Sequence, residues 1–187
     1  MDAYLELQLL PDPEFPPAML MNALFAKLHR ALVSHGEGRI GISFPEVGIK
    51  AGQLGQRLRL HGQAGELEKL MASNWLQGMR DHLAAFAIRP VPDGAKHRIV
   101  RRVQAQSNPE RLRRRLIRRK GIGDEEARTR IPDSAAQTLA LPSLLVTSQS
   151  TQQQFRLFIE HLPVQVESSP GSFTSYGLSN EASIPWF

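Results

Sequence analysis

The first hundred residues alternate between two hydrophobic periods. Residues 4–9 place apolar and polar side chains in turn, which is typical of a half-buried strand. The proline-rich stretch PDPEFPPA ends this pattern, and apolar residues then recur at helical spacing from Ala18 to about Gly36. Two more alternating stretches, residues 40–44 and 57–61, predict two further strands.

A second helix is predicted from Leu67 to Leu83, with a bend near Ser73, because apolar residues there again follow helical spacing. A strand from Ile99 to Ala105 follows. The resulting order of strand, helix, strand, strand, helix and strand is that of a ferredoxin-like βαββαβ arrangement. This fold serves many functions and does not indicate one by itself.

The C-terminal part predicts a short helix from about Asp124 to Arg130 and strands at residues 144–148 and 155–160. The fold class is therefore α+β. We expect an N-terminal ferredoxin-like domain over residues 1–95 and a smaller C-terminal domain over residues 96–187, which carries an arginine-rich helix at about residues 108–120 as well as β-strands.

Composition and the absence of long apolar runs indicate the compartment in which the protein is expected. The chain has 187 residues, 41% of them hydrophobic, and no cysteine, so disulfides and thiolate metal sites are excluded. Its first residues lack the features of a signal peptide, and no apolar run is long enough to span a bilayer. We therefore expect a cytoplasmic protein with no membrane association.

The net charge of +5 is unevenly distributed. From Lys96 to Lys120 there are eleven Lys or Arg residues and one acid, Glu110, so this segment carries +10 and the remainder −5. Such asymmetry indicates a local site for a polyanion. A solubilising surface is the alternative, but these cations lack the acidic partners that an exposed helix usually provides three or four positions away.

The segment SNPERLRRRLIRRKG predicts a helix that starts at Ser107 or Asn108 and stops at Gly121. At 100° per residue, five arginines share one arc, and the apolar residues Leu112, Leu116 and Ile117 lie opposite. Arginine binds phosphate in a bidentate manner, so this face suits the groove of an RNA hairpin. The five are Arg111, Arg114, Arg115, Arg118 and Arg119.

Other candidate residues have plainer explanations when only local pattern is considered. His29 lies at the edge of an apolar stripe, Phe155 alternates with core positions, and Ser148 lies in a polar turn. Arg102 and Gln104 are two residues apart. Arginine commonly binds the edge of guanine, and glutamine that of adenine. An arginine and a glutamine at this spacing are, by themselves, weak evidence for base recognition.

The chain resembles the CRISPR-repeat-processing endoribonucleases of type I-F CRISPR systems. The resemblance covers essentially the whole chain and is carried by PDPEFPPA, LFAKLH, RVQAQSNPERLRRRLIRR, ARTRIPD, SQST followed by FRLFIEH, and FTSYGL followed by IPWF. It implies a metal-independent RNase, without a cofactor, that cuts CRISPR precursor RNA at the 3′ base of the repeat stem-loop. The implied products carry a 2′,3′-cyclic phosphate and a 5′-hydroxyl, and the enzyme stays bound to the mature guide RNA within the type I-F targeting complex.

The same resemblance implies the roles of individual residues. His29, Ser148 and Tyr176 would be catalytic, with Ser150 close to Ser148. Arg102 and Gln104 would read the bases next to the cut, Phe155 would stack at the base of the stem, and the arginine helix would fill the groove. Lys120, which closes that helix, gains no specific role.

Two other functions compete with the endoribonuclease. A non-catalytic RNA-hairpin-binding subunit of a ribonucleoprotein would use the same arginines, but the presence of both His29 and Ser148 favours cutting. A basic assembly protein of the ribosomal type would spread its positive charge over the chain, whereas here that charge is concentrated in 25 residues.

Overall fold

The computed structural model describes residues 1–104, 109–132, 139–147 and 153–187. The chain forms two compact units: residues 1–103 together with 141–187, and residues 104–140. This grouping differs from the predicted division after residue 95, because a long strand that starts at Lys96 pairs within the first unit. None of the helices in the described ranges combines the length and apolar character that crossing a bilayer requires.

The first unit contains a sheet in the strand order β2-β3-β1-β4, in which every pairing is antiparallel. Helix α1 (Pro17–His35) connects β1 to β2, and helix α2 (Ala64–Ala72) connects β3 to β4. The predicted order is confirmed as far as the second helix, but the strand that follows it in this sheet is not the predicted strand Ile99 to Ala105. The strands are β1 (Ala3–Leu9), β2 (Gly41–Ser43), β3 (Arg57–Gly62), β4 (Leu83–Ala85) and the short β5 (Arg89–Pro90), which also pairs with β1.

The fourth strand of this sheet differs from the prediction. Helix α2 ends at Ala72 and Leu83 begins β4, so the predicted helix through Leu83 is wrong. The reason is local: the backbone has positive φ at Asn74 (54°) and at Gly78 (75°), and an α-helix cannot continue through such residues.

A second sheet has the order β7-β8-β6-β9, again antiparallel. The predicted strand near Ile99 is β6 and belongs here rather than to the first sheet. The two predicted C-terminal strands are confirmed as β7 and β8, although residue 148 lies outside the described residues. The bounds are β6 (Lys96–Val103), β7 (Ser143–Thr147), β8 (Gln154–His161) and β9 (Ser183–Trp186).

One apolar core joins α1 to both sheets. Buried and half-buried residues alternate along β1, and the buried ones contribute to the core that also takes up the apolar face of α1. Asn22 of α1 also reaches the second sheet, where its side-chain oxygen accepts a hydrogen bond of 3.0 Å from the Leu145 amide. Helix α1 is therefore held by contacts along much of its length.

The second unit contains helix α3 (Pro109–Lys120), which confirms the predicted arginine helix, and α4 (Asp124–Arg130). The predicted start at Ser107 or Asn108 lies outside the described residues. The predicted stop is confirmed, because Gly121 has φ 63° and its amide donates to the Ile117 carbonyl at 2.7 Å.

Candidate active site

His29 lies on α1 one turn after Phe25 and contacts a turn near the C-terminus. Its imidazole stacks on the ring of Tyr176, with centroids 4.2 Å apart and planes inclined by 9°. Its Nδ1 lies 2.9 Å from the Ser175 carbonyl oxygen, 146 positions away along the chain. The sequence-predicted residues His29 and Tyr176 are thus brought together.

The contact with Ser175 determines which ring nitrogen of His29 carries the proton. A carbonyl oxygen accepts hydrogen bonds and cannot donate them, so Nδ1 must be the protonated nitrogen. In the neutral ring, Nε2 then holds the free lone pair. This tautomer is the one that can take a proton at Nε2, as a general base does.

The turn that contacts His29 is anchored to the first sheet. The Ile42 amide of β2 donates to the Gly177 carbonyl at 2.9 Å, and the Phe173 amide donates to the Gly38 carbonyl at 3.0 Å. Gly177 has φ 69°, and a Cβ there would lie 2.7 Å from Cγ2 of Ile42, so glycine is required at this position. The partner of His29 is therefore placed by β2, which follows α1 in the chain.

Arg102 of β6 connects Tyr176 to Phe155 of β8. Its guanidinium carbon lies 5.6 Å from the centroid of the Tyr176 ring and 5.4 Å from that of Phe155, which is within cation–π range. Phe155 is half-buried and packs against the core, so part of its ring stays accessible. The structure thus groups a candidate base, two aromatic rings and a cation at one place.

Ser148 and Ser150 lie outside the described residues, as does the side chain of Arg111. Gln104 is exposed and belongs to the second compact unit, together with the arginine helix.

The arginine helix exposes four of its predicted cations: Arg114, Arg115, Arg118 and Arg119. Leu112, Leu116 and Ile117 are half-buried, as expected for the opposite face. Arg113, which lies between Leu116 and Ile117 on that opposite face, is buried, and its Nε donates to the Ile131 carbonyl at 2.7 Å. Arg113 therefore links α3 to the residue after α4.

The model of the family described as CRISPR-associated protein (Cas_Csy4) matches residues 4–187. The chain belongs to this family. The predicted membership of the type I-F CRISPR repeat-processing endonucleases is thereby confirmed.

Two curated members of the Csy4 family are similar over the full length of both chains. The "CRISPR-associated endonuclease Cas6/Csy4" of Pseudomonas aeruginosa (strain UCBPP-PA14) is 55% identical, and the protein of the same name from Escherichia coli (strain UTI89 / UPEC) is 49% identical. A solved structure, "CRISPR endoribonuclease Cse3 bound to 19 nt RNA", aligns over 99% of this chain and 100% of that chain with 12% identity and a TM-score of 0.38. A likeness at that score supports no argument.

Several cations that the sequence assigned to the basic segment have internal partners in this Csy4 family member. Arg98 donates to the carbonyls of Leu162 and His161, and its guanidinium carbon lies 4.6 Å from the Trp186 ring centroid. Arg101 pairs with Glu160 at 2.8 Å. A count of charges along the chain cannot reveal such partners, because they lie on neighbouring strands.

Two other histidines are poorly suited to accept a proton near neutral pH. His61 is fully buried beside Ser43, whose hydroxyl lies 2.8 Å from its Nε2, and burial holds its pKa well below the usual value. Burial, and secondarily the charge of Arg98, lower the pKa of His161 to about 3. Sequence reasoning without the family resemblance had no means to separate these residues from His29.

Sequence reasoning missed Ser175, because its contribution to the site is a main-chain carbonyl. It also missed Phe25, whose buried ring lies parallel to Tyr176 at a centroid distance of 6.3 Å. The apolar pattern of α1 indicates only a core role for Phe25.

Within the described ranges, no three His, Asp or Glu side chains are placed to hold a metal ion.

Proposed function

We propose that this protein is a metal-independent endoribonuclease that cuts CRISPR precursor RNA at the 3′ base of the repeat stem-loop. The observation that carries the proposal is the His29 imidazole, which is held through Nδ1–H by a carbonyl and has its lone pair on Nε2. The name shared by both curated relatives, CRISPR-associated endonuclease, supports cleavage as the activity.

In the proposed reaction, Nε2 of His29 takes the proton of a ribose 2′-hydroxyl. The 2′-oxygen then forms a bond to the adjacent phosphorus while the bond from phosphorus to the 5′-oxygen breaks. The leaving 5′-oxygen takes up a proton from water, so the products are a 2′,3′-cyclic phosphate and a 5′-hydroxyl, and His29 returns its proton to the solvent. Ser148 is proposed to hold the 2′-hydroxyl in line with the breaking bond, which is a positioning effect, and Ser150 is proposed to bind the RNA.

Tyr176 is proposed to fix the plane of the catalytic imidazole. The two rings stack at 4.2 Å, and the Tyr176 ring is in turn parallel to Phe25 in the core. A base that is held in one orientation does not have to be ordered when the RNA binds, which favours the reaction.

RNA recognition is proposed to rely on residues 96–187. Arg102 and Gln104 would contact base edges next to the cut, and Phe155 would stack on a base at the foot of the stem. The exposed arginines of α3 would bind phosphates along the groove, an idea that their exposure and the local charge of +10 support. The four are Arg114, Arg115, Arg118 and Arg119, and Arg111 of the same predicted arc is included in the proposal.

We further propose that the protein stays on its product and joins the other subunits of the targeting complex. The ferredoxin-like classification of its N-terminal part belongs to this proposal as well. It is supported by the antiparallel order β2-β3-β1-β4 with two connecting helices.

The test is cleavage of a CRISPR repeat hairpin in excess EDTA, with analysis of the product ends, by the wild-type protein and by His29→Ala. We expect a cyclic phosphate at the stem base from the wild type. For His29→Ala we expect a rate at least about 100-fold lower, which is the usual range for losing a general base. Affinity for a hairpin with a 2′-deoxy nucleotide at the cut should change by less than about twofold.

His35→Ala is the matched control, because His35 is an exposed histidine at the end of the same helix. It should cut as the wild type does. Normal cleavage by His29→Ala would remove His29 from the mechanism. Tight binding without any cleavage by the wild type would favour the alternative, a non-catalytic RNA-hairpin-binding subunit.

A further inference from the structure

The hydroxyl of Thr174 lies inside the turn that contacts His29. Thr174 Oγ1 accepts a hydrogen bond of 3.3 Å from the Tyr176 amide and donates one of 3.0 Å to the Leu178 carbonyl. The main chain closes the same turn, because the Thr174 amide donates to the Leu178 carbonyl at 2.9 Å and the Gly177 amide donates to the Thr174 carbonyl at 2.8 Å. The hydroxyl therefore bonds both to the peptide between Ser175 and Tyr176 and to the Leu178 carbonyl, where the turn closes.

That segment makes two contacts with His29. The Ser175 carbonyl accepts from Nδ1, and the Tyr176 ring covers one face of the imidazole. Both contacts depend on the backbone between Thr174 and Gly177, because a rotation of the peptide between Ser175 and Tyr176 would turn the carbonyl away from Nδ1. The Tyr176 amide belongs to that peptide, and Thr174 Oγ1 is its acceptor.

We infer that Thr174 is a positioning residue that maintains the Nδ1–H tautomer of His29 by orienting the Ser175–Tyr176 peptide. A neutral histidine side chain in water favours the Nε2–H tautomer, which has no lone pair on Nε2. The carbonyl of Ser175 reverses this preference only while it points at Nδ1. The hydroxyl of Thr174 thus acts on catalysis through two other residues and need not touch the RNA.

The inference rests on the proposed function, in which Nε2 of His29 is the base. The statement that Thr174 maintains the His29 tautomer can be tested without cleavage, because the tautomer exists in the free protein. A measurement of the tautomer and a measurement of the rate therefore test different statements.

The first test compares Thr174→Val with Thr174→Ser. Valine has nearly the shape of threonine without the hydroxyl, whereas serine retains the hydroxyl. The main-chain bonds of the turn remain in both variants, and Thr174 is exposed, so both should fold. Long-range ¹H–¹⁵N correlation spectra of the His29 imidazole report the tautomer of each free protein.

We expect the Nδ1–H form in the wild type and in Thr174→Ser, and a mixture of tautomers in Thr174→Val. In single-turnover cleavage, Thr174→Val should be about 3- to 10-fold slower, which corresponds to one net hydrogen bond. Its affinity for the non-cleavable hairpin should stay within about twofold of wild type, and Thr174→Ser should restore the rate.

An unchanged His29 tautomer in Thr174→Val would overturn the inference, and so would a wild-type protein whose His29 carries its proton on Nε2. The second outcome needs no variant, so the inference stays testable even if Thr174→Val does not fold. If the wild type binds the hairpin and fails to cut it, the proposed function fails, while the tautomer spectra still decide whether Thr174 orients the peptide.

Discussion

Acidification should destabilise this protein through His161. The Phe44 amide donates to its Nε2 at 3.4 Å, and the rings of Phe44 and Trp186 meet it edge-on at centroid distances of 6.2 and 5.8 Å. Its Nδ1 is buried and has no hydrogen-bond partner among the described residues. Burial, followed by the nearby charge of Arg98, lowers the pKa of His161 to about 3.

The sign and size of the effect follow from this pKa. In the unfolded chain a histidine has a pKa of about 6.5, so below that pH the unfolded state binds a proton that the folded state excludes. The contribution of His161 to stability is therefore complete above pH 6.5 and is lost as the pH falls towards 3. The slope is about 1.4 kcal/mol per pH unit, which gives about 2.5 kcal/mol between pH 7 and pH 4.5.

Urea unfolding at a series of pH values, followed by circular dichroism, measures this effect when the wild type is compared with His161→Gln. Glutamine does not titrate and can still accept the Phe44 amide. The free-energy difference between the two proteins isolates His161, because contributions from carboxylates and from His61 are common to both. We expect that difference to change by about 2.5 kcal/mol from pH 7 to pH 4.5.

A constant difference between the two proteins across this range would refute the reasoning. It would mean that the folded protein accommodates the proton on His161, through water entry or a shift of the ring. His35→Gln provides the control, because that histidine is exposed on α1 and its replacement should leave the pH profile of the wild type unchanged.

Two further predictions concern the arginine helix and the turn beside His29. Arg119→Ala should weaken hairpin binding and reduce the slope of log affinity against log salt by about one. Arg128→Ala serves as the control, because Arg128 is an exposed arginine on α4. Equal affinities of the Arg119 variant and the wild type at moderate salt would contradict a role of Arg119 in the groove. Gly177→Ala should lower the free energy of unfolding by at least about 1–2 kcal/mol, because φ is 69° and the new Cβ would lie 2.7 Å from Cγ2 of Ile42. If urea unfolding gave this variant the stability of the wild type, the turn would have to relax without cost.

Helix α1, the arginine helix with its stop at Gly121, and strands β7 and β8 could be predicted from the sequence. Their signals are local, since an apolar period or a terminal glycine acts within a few residues of where it occurs. The prediction for the second helix was wrong after Ala72, because the backbone conformation there, and not the spacing of apolar residues, determines where the helix ends. The apolar residues up to Leu83 continue a helical pattern, but the backbone at Asn74 and Gly78 cannot adopt it.

The sequence also supplied the local concentration of charge and, through its motifs, the family. Within the arginine helix, the spacing of 100° per residue already placed Arg113 outside the arc of five arginines. The sequence could not reveal what the buried or paired arginines contact: Arg113 donates to the Ile131 carbonyl, and Arg98 of β6 donates to the carbonyls of Leu162 and His161. Those partners are distant in the chain and meet the arginines only after folding.

By itself, then, the sequence determined helix α1, the arginine helix, several of the strands, and the family to which its motifs belong. Only the tertiary structure decided the chemical state of His29. Its tautomer is determined by a carbonyl 146 positions away, in a turn that β2 anchors and that Thr174 closes. A main-chain carbonyl is present at every residue and leaves no mark on composition or spacing, so its role emerges only when folding brings it to the imidazole.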